Sequence, residues 1–229
     1  MNLPNCPWSA FAPGTTPFCE ARLCAWIESP AIAFSGIAYV VMAFLIFRDL
    51  RATDSWLTKS FAWITLSMGL SSFAYHSSHI LLFQAWDVAS MLALASAMLA
   101  ANVQRIRGGP ASGRGFTALM LGSVTLFTYF PTHPGVILFG LILAAALILE
   151  APAVKKTPGF RYGHFRLAAL FFAVALAALR IEKSSLCDPE NHYFQWHAVW
   201  DSAAAVCYYL LYRHYRQIEA ALEPPLERR

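Results

Sequence analysis

Two short stretches of this chain place ionisable side chains inside otherwise apolar sequence. Between Ser72 and Met91 it reads SFAYHSSHILLFQAWDVASM, which holds Ser72, His76 and Asp87, and near the other end QWHAVWDS sets His197 four residues before Asp201. An ionisable group in such surroundings is costly and is kept where it faces a partner or a water-filled cavity. Two histidines and two aspartates near helix ends therefore read as one constellation, and the chemistry those residue types share is metal binding.

The helices that carry them must bring them to one depth. Ser72 and His76 are four apart and share a helix face. Asp87 is expected to open the following helix, and the last apolar run is expected to begin near Trp196, with His197 in its first turn and Asp201 one turn deeper. Paired at i and i+4, His197 and Asp201 can hold one ion as the paired histidines of helical zinc motifs do. His76 from a facing helix would be a third ligand, which leaves one coordination position for water.

The composition says what kind of helices these are. Of 229 residues, 58% are hydrophobic and 13% charged, too little polar surface for a globule in water. Apolar runs at about 31–47, 57–83, 86–104, 116–131, 135–152, 164–181 and 196–212 approach the ~20 residues that cross a bilayer. The expected fold is an all-α integral membrane protein with seven transmembrane helices. All of the 17 lysines and arginines except Arg22, Arg180 and Lys183 fall in the first, third and fifth connections and the tail. That bias places the N-terminus out and the C-terminus in, with the constellation toward the outer side. Three parts are expected: an outer segment 1–30, a membrane domain 31–216 and an inner charged tail 217–229.

A net charge of +4, scattered over short loops without a basic stripe, excludes nucleic acid and points to membrane lipid headgroups. The first thirty residues lack the apolar core of a cleavable signal peptide, so the first span is expected to be its own membrane address. Cys6, Cys19, Cys24 and Cys187 fall on the expected oxidising side. A Cys19–Cys187 pair would staple the outer segment to the start of the last helix, although spacing does not select it. Cys207 reads as a small buried apolar side chain.

Ser72-x3-His76-x10-Asp87, followed by Ser90–Met91, and Cys187-Asp-Pro…Gln195-Trp-His197-Ala-Val-Trp200 resemble the signature of the alkaline ceramidase family. That family belongs to a wider superfamily of seven-span hydrolases with the adiponectin and progestin receptors and the Per1-like proteins. Phe18-Cys19-Glu20 and Ser29-Pro30-Ala31-Ile32-Ala33-Phe34-Ser35 are similar to the family's N-terminal pattern more loosely, and in outline the likeness runs from about residue 18 to 216.

The resemblance implies a zinc hydrolase of lipid amides. It implies zinc ligands at His76, His197 and position 201, with Ser72 and Asp87 supporting the attacking water and the reacting carbonyl. The family has a histidine where this chain has Asp201. Two histidines with one carboxylate also bind catalytic zinc, but the added negative charge reduces Lewis acidity and can favour another divalent ion. The family's calcium site is not expected to be tight here. Of its acidic ligands only Glu20 has a clear counterpart, Pro17 and Arg22 replace oxygen-bearing side chains, and Ser29 stands where the family usually has a glutamate, with Glu28 one position away, whereas calcium wants six or more oxygens.

Glu20 and Glu28 are thus expected to be solvated, His79 to be more exposed than His76, and His192 to be a loop residue. Trp86, Trp196 and Trp200 are assigned to the interfacial aromatic belt. Asp87 alone could equally be a helix cap. The expected function is hydrolysis of a lipid amide entering from the bilayer, which releases a fatty acid and an amine such as a sphingoid base. The alternatives are a catalytically lapsed receptor or lipid sensor that keeps its metal, and a proton-coupled transporter with a His and Asp relay. Oligomeric state is not legible.

Overall fold

The computed structural model describes residues 5–107, 116–117, 134–155 and 161–222. The described helices are α1 (Pro30–Ser35), α2 (Ile37–Asp49), α3 (Trp56–Ser78), α4 (Leu81–Arg107), α5 (Pro134–Val154), α6 (Gly163–Glu182) and α7 (Trp196–Leu222). Among the described residues there is no strand, only an isolated bridge between Pro13 and Ile80. The expectation of an all-α chain therefore holds.

Among the described residues four stretches are long and apolar enough to cross a membrane: Pro30–Asp49, Leu81–Arg107, Ile137–Val154 and Gly163–Glu182. The 23-residue α3 and 27-residue α7 are long enough but less apolar. Several of their polar residues point inward: Thr65, Ser71, Ser72 and His76 on α3, and His197, Asp201 and His214 on α7, are all buried. The expected span at 116–131 lies almost wholly outside the described residues.

Helices α3 and α7 occupy the middle of the bundle. Each packs on α1, on α2 and on the other, while α4 lies against α3, α5 against α4, and α6 against α7. Small residues permit the close approaches, as Gly36 and Gly69 show at the crossing of the α1–α2 junction with α3. A Cβ on Gly69 would meet the Gly36 carbonyl oxygen at 2.9 Å, so both backbones are in contact there. Buried Ala95, Ala97, Ala204 and Ala205 serve the same purpose elsewhere.

The second apolar run is shorter than the expected 57–83. Helix α3 ends at Ser78 because His79 takes the left-handed conformation at φ 49° and caps it, its N–H bonding to the Tyr75 carbonyl at 2.6 Å. The backbone freed by this break pairs with the N-terminal segment, as Gly14 N–H bonds to the His79 carbonyl and Leu81 N–H to the Ala12 carbonyl. Helix α4 then begins at Leu81, which leaves Asp87 nearly two turns inside it. Asp87 neither opens a helix nor caps one.

The N-terminal segment is cross-linked by Cys6–Cys24 and Cys19–Cys187, which resolves the pairing that spacing left open. Glu20 and Glu28, expected to be solvated, are only 3% and 4% exposed. Both are satisfied by internal donors. Glu20 accepts from the N–H groups of Ala31 and Ile32 at the start of α1 and from His192 Nδ1 at 3.0 Å, while Glu28 pairs with Arg22 at 2.5 Å. His192 is a loop residue, as expected, but this contact ties its loop to α1.

At the other end of α7, about 25 Å from His197 at 1.5 Å per residue, a second polar cluster joins four helices. Arg105 of α4, expected in a connection, is instead buried. It donates to Glu150 of α5 at 2.7 Å, to Asn102 at 3.1 Å and to the Tyr162 hydroxyl before α6 at 2.9 Å. His214 of α7 lies 3.4 Å from the same Glu150 oxygen.

Candidate metal centre

Gly69, Ser72 and His76 recur at i, i+3 and i+7, so they form one stripe of α3. The glycine lets that stripe approach α1, which carries Ser35, and α7 supplies His197 and Asp201 from one face. His76, His197 and Asp201 each offer a ligand atom, and these atoms all lie within 4.8 Å of one another with all three residues buried. The two imidazole rings are 5.0 Å apart between centroids. Phe18 lies edge-on to both, at 4.6 Å from His76 and 4.7 Å from His197.

The carboxylate of Asp201 is 1% exposed. Its Oδ2 accepts from Ser35 Oγ at 2.6 Å and, more weakly, from Ser72 Oγ at 3.4 Å. Across the ligand pair, Glu182 at the end of α6 accepts from His197 Nδ1 at 3.0 Å. Asp87 stands one layer away, where its Oδ1 accepts from Ser71 Oγ at 3.4 Å; Ser71 in turn contacts Ser90. His79 does not join the cluster. It is nearly as buried as His76, and its Nε2 is bonded to Ser29 Oγ at 2.8 Å.

Two observations indicate that the group suits a cation. His76 Nδ1 is buried without a hydrogen-bond partner, unusual for a polar atom in a protein interior. In addition, no lysine or arginine pairs with buried Asp201 or Glu182 among the described residues. Buried carboxylates without a positive partner are expensive, and two imidazoles with one carboxylate form a catalytic zinc donor set that leaves one position open.

Of the five residues singled out from the sequence, the structure brings Ser72, His76, His197 and Asp201 into one buried cluster and leaves Asp87 beside it behind Ser71. Three further residues, Phe18, Ser35 and Glu182, were not singled out. Glu182 had a visible signal: it is an acid ending an apolar helix, where the helix dipole disfavours an anion. Phe18 and Ser35 had only the looser N-terminal likeness, in which both stand, since neither residue type is unusual for its segment. Comparison of the chain with protein-family models gives no match, and comparison with curated proteins gives none.

Proposed function

We propose that this protein is a zinc-dependent hydrolase of lipid amides acting within the membrane, ceramidase-like in its reaction, and that it releases a fatty acid and an amine such as a sphingoid base. In this reading the chain crosses the bilayer seven times, N-terminus out and C-terminus in, with the site toward the outer leaflet. The distribution of basic residues supports that orientation, and the two disulfides suit an oxidising outer side. The observation that carries the reaction is the buried meeting of His76, His197 and Asp201 with the Ser72 hydroxyl against them.

A divalent ion held by these three residues would supply an acidified water and polarise the amide carbonyl. With the ion bound, Asp87 would accept the proton of the attacking water and return it to the amide nitrogen as the C–N bond breaks. Ser72 donates to the developing oxyanion, a contribution of up to about 3 kcal/mol if made only in the transition state. Its long contact to Asp201 leaves the hydroxyl free to turn, because Ser35 keeps the carboxylate in place. Phe18 limits water on the outer face, so the lipid approaches sideways between helices.

The test is a panel of ceramides, N-acylethanolamines, acyl-amino lipids and phospholipids offered to detergent-purified protein whose metal content has been measured. Cleavage of at least one amide, abolished in His197→Ala together with bound zinc, is expected. No turnover of any lipid by metal-loaded protein would refute hydrolysis. In that event Asp201→His, which restores the residue of the resembling family, should create activity if the chain is a lapsed enzyme.

A further inference from the structure

Glu182 is the last residue of α6, yet it is buried while Lys183 beside it is exposed. Its side chain makes two contacts, one through each oxygen. Oε2 accepts from His197 Nδ1 at 3.0 Å, and Oε1 accepts from the Cys19 backbone N–H at 3.3 Å. Cys19 is in turn bonded covalently to Cys187, on the connection between α6 and α7.

An ionised carboxylate only accepts hydrogen bonds, so the shared proton belongs to His197 Nδ1. A neutral imidazole then presents its one lone pair at Nε2. The contact thus selects the tautomer, restricts ring rotation and makes Nε2 a better donor, as a carboxylate behind a ligating histidine does in metal sites generally. Because the second oxygen is bound to the outer segment at Cys19, the carboxylate cannot turn away from the ring without giving up that bond.

We infer that Glu182 is the positioning residue of the metal centre, orienting His197 for the ion and anchoring it to the disulfide-bonded outer segment. This rests on the reading that His76, His197 and Asp201 hold a divalent ion, and it deepens that reading by naming what supports the ligand. Glutamine keeps the size of Glu182 but has only one acceptor oxygen, so it can serve His197 or Cys19 but not both, and it lacks the charge. Alanine serves neither.

The test uses the full chain in detergent, with Zn2+ alone as the probe for affinity by chelator competition and Co2+ alone for the visible d–d spectrum. The wild type should bind one ion and His197→Ala none. Glu182→Ala should bind Zn2+ about 10- to 100-fold more weakly and Glu182→Gln about tenfold more weakly, and Co2+-loaded Glu182→Gln should show shifted d–d bands because the ring is free to rotate. If the wild type binds no more zinc than His197→Ala, the metal reading itself fails. If both bind as described but Glu182→Gln keeps wild-type affinity and spectrum, the metal reading stands and the role of Glu182 is overturned. A weaker affinity with an unchanged cobalt spectrum would overturn it as well, by showing that Glu182 holds only the outer segment. Should Glu182→Ala fail to fold, the near-isosteric Glu182→Gln decides.

Discussion

Gly69→Ala tests whether helix approach sets the geometry of the metal centre. An alanine Cβ at position 69 would lie 2.9 Å from the Gly36 carbonyl oxygen, 2.9 Å from Val40 Cγ2 and 3.1 Å from Tyr39 Cβ. Ordinary contact begins at 3.4 Å, so α3 must withdraw by about 0.5 Å, and the obstacle is backbone that cannot swing aside. Overpacking of this kind costs ~1–3 kcal/mol. It is partly offset by the better helix propensity of alanine, ~0.8–1.0 kcal/mol. Gly140→Ala on α5 isolates the difference, because a Cβ there meets nothing within 4 Å. Propensity favours both variants and cancels between them, which leaves Gly69→Ala less stable than Gly140→Ala by ~1–3 kcal/mol. The displacement also carries Ser72 and His76, on the same stripe of α3, away from Ser35 and from Asp201 on α7. Since functional constellations tolerate only ~0.5 Å, zinc affinity should fall on the order of tenfold in Gly69→Ala and stay unchanged in Gly140→Ala. Thermal unfolding in detergent measures the first quantity and chelator competition the second. Equal stability and equal affinity in the two variants would refute the argument that this glycine contact fixes the distance between the ligand-bearing helices.

The cluster at the far end of α7 gives a purely structural expectation. Glu150→Ala removes the carboxylate from buried Arg105 and should destabilise the bundle by ~3–5 kcal/mol, whereas Arg105→Met combined with Glu150→Met should recover most of that loss; a double variant as unstable as the single one would contradict it. The N-terminal segment gives a pH dependence. Burial raises the Glu28 carboxyl above its ordinary value, with the hydrogen bond and charge of Arg22 opposing the rise. A raised folded-state pKa stabilises at pH below the unfolded value and is lost as pH climbs through the folded one. Arg22→Ala should therefore speed hydrogen exchange over residues 20–29 at about pH 7.5 and change it little near pH 4, where the carboxyl is about half protonated even when unfolded; the same acceleration at both pH values would refute it.

Much of the site was legible because it is written in local periodicity. Ser72 and His76, and His197 and Asp201, share helix faces by spacing alone, and the apolar runs around them announce buried helices. The end of α3 was not legible. The apolar run continues through Ile80, Leu81 and Leu82, yet His79 takes the left-handed conformation that ends the helix at Ser78, and the freed backbone pairs with Ala12 and Gly14. Asp87 moved from a helix start to a helix interior for that reason alone. Glu20 and Glu28 were expected in solvent because carboxylates in a proline-rich outer segment usually are, but two disulfides and the His192 and Arg22 contacts fold that segment over them.

The sequence by itself determined an all-helical chain with membrane-length apolar runs and the side chains that could hold a metal ion, since residue type and period suffice for both. Only the tertiary structure decided what surrounds the ligands: Ser35 bonded to Asp201 across 166 positions, Phe18 over both imidazoles, Glu182 behind His197, and the Arg105–Glu150–His214 cluster at the opposite end. Such contacts depend on how closely and at what rotation whole helices pack. That is fixed by small residues such as Gly36 and Gly69 and by the cross-links, and no repeat along the chain encodes it.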